Sequence, residues 1–126
     1  MEKVLLDANV LLDVLFRRQR HDAVINALED MPNAQFCLSV LSVDIIMYFV
    51  ESGKQSKATA WDFLNKYEIL DVTRADVEWA RDNDQGDYED AVQVACARRH
   101  NCATLVTLDQ KLEGLYGKYL SVLTIR

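Results

Sequence analysis

The sequence reads as a single α/β domain over residues 1–126, a three-layer α/β/α sandwich around a central parallel sheet. Three observations carry that reading. Short apolar runs alternate along the chain with longer stretches of helical spacing, the pattern of βα units whose strands are covered on both faces. Half of the residues are hydrophobic and 27% are charged, enough to build a core without a disulfide or a metal to hold it. Four Gly and one Pro are too few for a loop-rich β fold or a disordered chain.

Taken in order, Lys3–Leu6 (KVLL) is an apolar run that stops at Asp7, the first strand. From Asn9 to Arg18, the residues Val10, Leu11, Val14 and Leu15 recur at helical spacing. His21–Asp30 is a second helix, ended by Pro32, and Gln35–Leu38 is a second strand. Val40–Glu51 has helical length but is apolar almost all round, unbroken from Ile45 to Val50. A helix facing one core needs only a stripe, so this one is expected to be covered on two sides, by the core and by the Trp61 helix or a second subunit. Gly53 ends it, and the next helix runs Lys54–Tyr67. Ile69–Val72 is the third strand, followed by a short helix over Ala75–Arg81. After the polar break Asp82–Gly86 comes a helix of small residues, Asp87–Arg99, with Ala91, Val94 and Ala95 facing inward. Ala103–Val106 is a strand closed by Thr107-Leu108-Asp109, Gln110–Leu115 a short helix, and Ser121–Ile125 the last strand.

The formal net charge of −6 gives no whole-molecule attraction for nucleic acid, although bound cations reverse such a sign locally. Cys37, Cys96 and Cys102 are odd in number and irregular in spacing, which excludes a disulfide framework and a zinc site and suits buried thiols in a reducing cytoplasm. Asp7 and Asp13 interrupt the apolar start, so it is not a signal peptide. The longest apolar stretch, Cys37–Val50, contains Asp44 and falls short of the roughly 18 residues a membrane span needs.

In parallel α/β folds ligands sit beyond the carboxyl ends of the strands, and acids stand there. Asp7 follows the first strand and Asp109 the fourth, while Asp87 and Asp90, three apart, share one face of a helix and Glu89 points elsewhere, about 100° round. Each acid has an ordinary role open to it as a helix cap or a partner of the helix dipole. Together they repel one another unless a cation lies among them. Oxygen donors with no His or Cys beside them suit Mg²⁺ or Mn²⁺. Ions so held activate a water and stabilise charge on a phosphodiester under attack. Neither a P-loop, a dinucleotide fingerprint nor a nucleophilic Ser elbow occurs.

Three segments in order resemble the PIN-domain family, which includes the VapC-like toxins of toxin–antitoxin pairs. They are Leu5-Leu6-Asp7-Ala8-Asn9-Val10, Asp87-Tyr88-Glu89-Asp90-Ala91 and Leu105-Val106-Thr107-Leu108-Asp109. The resemblance covers essentially the whole chain. It implies a PIN-like fold and a metal-dependent endoribonuclease, with Asp7, Asp90 and Asp109 holding Mg²⁺ or Mn²⁺, Asn9 supporting the turn after the first strand and Thr107 bonding within the acidic cluster. Asp87 ranks below these. It also implies a homodimer and, for a toxin, an antitoxin that covers the site, inserting an Arg among the carboxylates. One departure stands out. Ser39 and Ser42 fit the family's third-helix register, yet the position where many members carry Glu is Ile45, and Asp44 lies one residue earlier.

Two other classes compete. A PIN-like module kept for binding alone is favoured by the missing Glu. A phospho-acceptor receiver domain would use Asp7 and Asp71, but it needs paired acids after the first strand and a Lys after a late one, and neither is present. For RNA, Arg17, Arg18, Arg20 and His21 form one basic cluster and Arg98, Arg99 and His100 a second. Phosphate contacts there would orient a substrate without reading its sequence.

Overall fold

The computed structural model describes residues 1–53 and 55–126. The order is β1 (Glu2–Leu6), α1 (Ala8–Leu15), α2 (His21–Glu29), β2 (Ala34–Ser39), α3 (Val40–Ser52), α4 (Lys57–Leu64), β3 (Glu68–Leu70), α5 (Arg74–Asn83), α6 (Tyr88–Arg99), β4 (Thr104–Thr107), α7 (Leu112–Tyr116) and β5 (Ser121–Thr124). The strands form one parallel sheet in the order β3-β2-β1-β4-β5. The expected α/β/α sandwich is therefore present. Boundaries move by a few residues: β3 stops at Leu70, and α4 begins at Lys57, the expected start at Lys54 lying outside the described residues.

Alternation along the strands divides the core in two. Val4, Leu6, Leu38 and Val106 face α1–α4, while Leu5, Cys37 and Leu105 face α5–α7. Leu5, Leu6, Leu38, Leu105 and Val106 have no exposed surface, and each fully buried side chain of this kind contributes about 1.5–3 kcal/mol. The chain winds outward from β1 through β2 to β3, then returns to lay β4 on the other side of β1. That reversal leaves a crevice beyond the carboxyl ends of β1 and β4, where α/β sheets bind ligands. Asp7 and Asp109 stand at those two ends.

α3 departs from expectation. The core covers Ser42, Val43, Ile46 and Val50, but Tyr48 is 68% and Phe49 37% exposed. The Trp61 helix, α4, packs against α3 without covering them, and Trp61 is itself exposed. α6 departs the other way. Seven consecutive residues, Ala91–Ala97, are buried, because small side chains let the helix settle between the sheet and α5.

Candidate functional site

Asp7 opens the site. Its backbone N–H donates to Val106 O at 2.9 Å, which extends the β1–β4 ladder one residue and fixes Asp7 beside β4. Asp7 occupies the N-cap position of α1, yet its carboxylate makes no cap bond. Instead Oδ2 accepts from the fully buried Thr107 hydroxyl at 2.8 Å. The Thr107 oxygen in turn accepts from the Asp109 N–H at 3.0 Å and the Asn9 amide at 3.4 Å. Asn9 Oδ1 accepts from Leu108 N at 3.2 Å, so one short side chain ties the turns after β1 and β4 together. Asn9 and Thr107 thus hold Asp7 and Asp109 in register, as the motifs imply.

The third acid arrives on α6. Gly86 adopts φ +118°, a conformation that a side chain at this position would strain, and turns the chain into Asp87. Tyr116, fully buried under α6, pins this approach: its hydroxyl oxygen accepts from Gln85 N at 3.0 Å and donates to Asp87 O at 3.5 Å. Asp87 Oδ1 accepts from the N–H groups of Glu89 and Asp90, at 3.0 and 3.3 Å. Asp87 is thereby the N-cap of α6, its ordinary role, and Asp90 sits one turn in, facing Asp7 and Asp109.

Electrostatics show that these acids share one space. Burial, and then the charges of Glu89 and Asp109, push the Asp7 carboxyl from 3.8 up to about 6, against the lowering bond from Thr107. Asp90 is pushed from 3.8 to about 7 by burial, then by Asp7, Asp87 and Asp109. Among the described residues no ion pair includes Asp7, Asp90 or Asp109, and no three His, Cys, Asp or Glu already stand as a ready-made cage. Their oxygen donors are of the kind a hydrated Mg²⁺ prefers, an ion that keeps several waters and takes one or two carboxylates, although no three acids among the described residues form a cation site as they stand.

Several expectations need correction. Glu89 is exposed and its side chain makes no hydrogen bond to the cluster, yet its charge contributes to raising Asp7, and burial followed by Asp87 raises its own carboxyl. Asp44 is exposed on α3 with no hydrogen bond to the cluster, while Ile45 packs half-buried against the core. Two members of the second basic cluster, Arg99 and His100, bond to structural groups. Arg99 grips the buried Asp76 through Nε at 2.9 Å and Nη2 at 3.0 Å, His100 meets Asp71 O at 2.9 Å, and Arg98 lies over Trp79 and Tyr119.

Sequence reasoning missed Gln93. It is 2% exposed, accepts from Ser39 Oγ at 2.8 Å and donates to Ser42 Oγ at 2.5 Å. This bridge joins α6 to the end of β2 and the start of α3, one turn along from Asp90. A lone amide in the run Ala91–Ala97 was its available signal.

A parallel sheet with this strand order and acids beyond the ends of β1 and β4 defines an α/β domain with an acidic crevice at its topological switch point. The comparisons make the class specific. The PIN-domain family model matches residues 3–111, and the chain belongs to that family. Its fold is shared with a chain of a toxin–antitoxin complex from Klebsiella pneumoniae, at 25% identity and TM-score 0.76, over 98% of both chains. VapBC2 from Rickettsia felis, bound to a DNA fragment from its promoter, is similar at 19% identity and TM-score 0.75, over 98% of this chain and 99% of that one. FitAcB from Neisseria gonorrhoeae is similar at 20% identity and TM-score 0.72, over 96% of each. No curated protein matches the sequence. No described helix is long and apolar enough to cross a membrane.

Proposed function

We propose that the chain is a Mg²⁺- or Mn²⁺-dependent endoribonuclease that hydrolyses RNA phosphodiester bonds in the cytoplasm, as the toxin of a toxin–antitoxin pair. The observation that carries this reading is the placement of Asp7 and Asp109 beyond the adjacent ends of β1 and β4, joined through Thr107, with the Asp87-capped start of α6 bringing Asp90 close enough for the acids to raise one another. Membership of the PIN family and likeness to chains from toxin–antitoxin complexes support it. Asp7, Asp90 and Asp109 would hold the ion, with Glu89 adding negative charge beside them. The ion would supply Lewis-acid stabilisation of the phosphodiester and make a water acidic enough to attack. The chain's own contribution is placement. Thr107 fixes the Asp7 carboxylate that would hold the ion, Asn9 locks the two strand-end turns, and the Asp87 cap aims α6. A cation held there would favour the ionised form of Asp90, whose carboxyl burial and the neighbouring acids push up to about 7. The exposed Tyr48 and Phe49 suit cover by a second copy or an antitoxin.

The test is cleavage of single-stranded RNA with Mg²⁺ or Mn²⁺, by wild type and Asp90→Asn, beside thermal melts of both. Metal-dependent cleavage and a metal-dependent rise in Tm, both lost in the variant, are expected. Neither effect at millimolar metal would leave the second reading, a PIN-like module kept for binding. The position of Asp44, exposed while Ile45 fills its neighbour's slot, favours that alternative.

A further inference from the structure

Three arginines follow α1 within four residues. Arg20 is a strap. Its backbone N–H donates to Asp13 Oδ2 at 3.2 Å, and its Nη1 donates to Leu108 O at 3.3 Å and Ile125 O at 3.1 Å, tying the turn to the ends of β4 and β5. Arg17 takes φ 49°, left-handed and rare for a residue with a side chain, and lines a separate groove with His21, Asp62 and Lys66. Arg18 and Arg20 both line an open groove of about 510 Å³ with Asn9, Asp13, Gln19, Leu108 and Asp109. Arg20 Nη1 is committed to two carbonyls there, whereas among the described residues the Arg18 guanidinium has no hydrogen-bond partner.

Arg18 is also prepared for a ligand. Its guanidinium carbon lies 5.5 Å from the centre of the Phe16 ring and 5.3 Å from that of Phe49. Its N–H donates to Asp13 O at 3.0 Å, so the backbone beneath it is anchored. Among the described residues no carboxylate pairs with it. An exposed, unpaired guanidinium held on two aromatic faces keeps its donor fork for an anion and loses little freedom in binding one.

We propose that Arg18 is a positioning residue that clamps a backbone phosphate of the RNA next to the one at the Asp7–Asp90–Asp109 site. The inference rests on the RNA reading of that site. In a chain of net charge −6, Arg18 adds to Arg20 a second cation in the groove that holds Asp109, along the path of a polyanion. The contact carries no base information, so it acts alike on every sequence.

The experiment measures binding of a fluorescently labelled 12-nucleotide single-stranded RNA to the full chain across a salt series, with Ca²⁺ in place of Mg²⁺. Wild type, Arg18→Gln, Arg18→Lys and Arg17→Gln are compared, with steady-state cleavage in Mg²⁺ alongside. Loss of one phosphate contact lowers the slope of log K against log salt by about 0.7 for a single strand. Arg18→Gln is expected to show that change with affinity about 3- to 10-fold weaker at low salt, and to raise KM more than it lowers kcat. Arg18→Lys keeps the slope, and Arg17→Gln matches wild type. An unchanged slope in Arg18→Gln, or an equal drop in Arg17→Gln, overturns the clamp while cleavage by wild type leaves the RNA reading intact. Arg18-dependent binding without any cleavage supports the clamp and removes the nuclease. No binding and no cleavage by wild type overturns both.

Discussion

Asp7 and Asp76 are both buried carboxylates, 8% and 2% exposed, and the fold treats them in opposite ways. Asp76 sits in the first turn of α5, accepts from Thr73 N at 3.0 Å and is gripped by Arg99 through two nitrogens. Its charge holds α5 against α6, and every oxygen is used. Asp7 has the Thr107 hydroxyl and the Ala8 backbone lowering its carboxyl but, among the described residues, no cation, and the charges of Glu89 and Asp109 raise it, as its own charge raises Asp90. A buried charge left unpaired costs several kcal/mol unless something outside the chain compensates it. The difference separates a carboxylate that builds the fold from one that, in the proposed function, would be kept for a cation.

The largest effect expected from this contrast is on catalysis. Asp90→Asn removes an ion-binding oxygen and should lower Mg²⁺-dependent RNA cleavage by about 10²-fold or more. The same change relieves repulsion, so the metal-free variant should melt at or above the wild-type temperature. A variant that loses activity only because it unfolds would erase the distinction. The opposite pattern is expected at the structural acid. Arg99→Met strands the buried Asp76 and should cost about 3 kcal/mol in denaturant unfolding while leaving metal-induced stabilisation in place.

The pH dependence of the metal-free chain sharpens the comparison further. Asp7 has a folded pKa of about 6 against an ordinary 3.8. Between those values the folded state binds more protons than the unfolded one, so stability falls as pH rises. The shift corresponds to roughly 2–3 kcal/mol lost between about pH 4 and pH 7, and Asp90 acts in the same direction. Unfolding followed from pH 5 to pH 8 should show that decline in EDTA and its reversal in millimolar Mg²⁺. A flat profile would mean that the acids do not share a space.

Part of this was legible in the sequence, for physical reasons. Apolar runs such as KVLL and TLVT are short because a buried parallel strand is short, so each strand end, and with it Asp7 and Asp109, was readable from local pattern. The D-x-x-D spacing fixed the relation of Asp87 to Asp90 through helix geometry alone. What lay hidden depends on which element packs on which. The charge of Glu89 acts on Asp7 only because the fold brings the start of α6 near the end of β1. The four-member basic cluster Arg17–His21 is uniform in sequence, and only the carbonyls of Leu108 and Ile125, some ninety residues or more away in sequence, separate Arg20 from Arg18. Gln93 looked like an interruption until Ser39 and Ser42 arrived beside it.

That last contact predicts a smaller effect. Gln93→Leu leaves two buried hydroxyls without their amide partner and should cost about 1–3 kcal/mol of stability. Because the bridge sets α6 one turn from Asp90, the variant should also weaken metal-induced stabilisation modestly, whereas a surface change such as Lys118→Gln should not.

The smallest effect is expected at Asp44, and it carries the most weight for the family departure. An acid on the solvent side of α3, with no bond to the cluster, has no route to the ion while Ile45 is held in the core. Asp44→Asn should therefore leave the Mg²⁺-dependent rise in Tm and the cleavage rate within about twofold of wild type, a change of under ~0.5 kcal/mol. A tenfold loss would mean that α3 rotates by about 100° when the ion binds, carrying Asp44 to the crevice and Ile45 out of the core. Burying Asp44 and exposing Ile45 both oppose that rotation, so the ion would have to supply the difference, and metal affinity would then rise in a variant that removes the apolar anchor, Ile45→Ser. Equal affinity in Ile45→Ser and wild type is the outcome the static arrangement predicts, with three acids, rather than four, holding the ion.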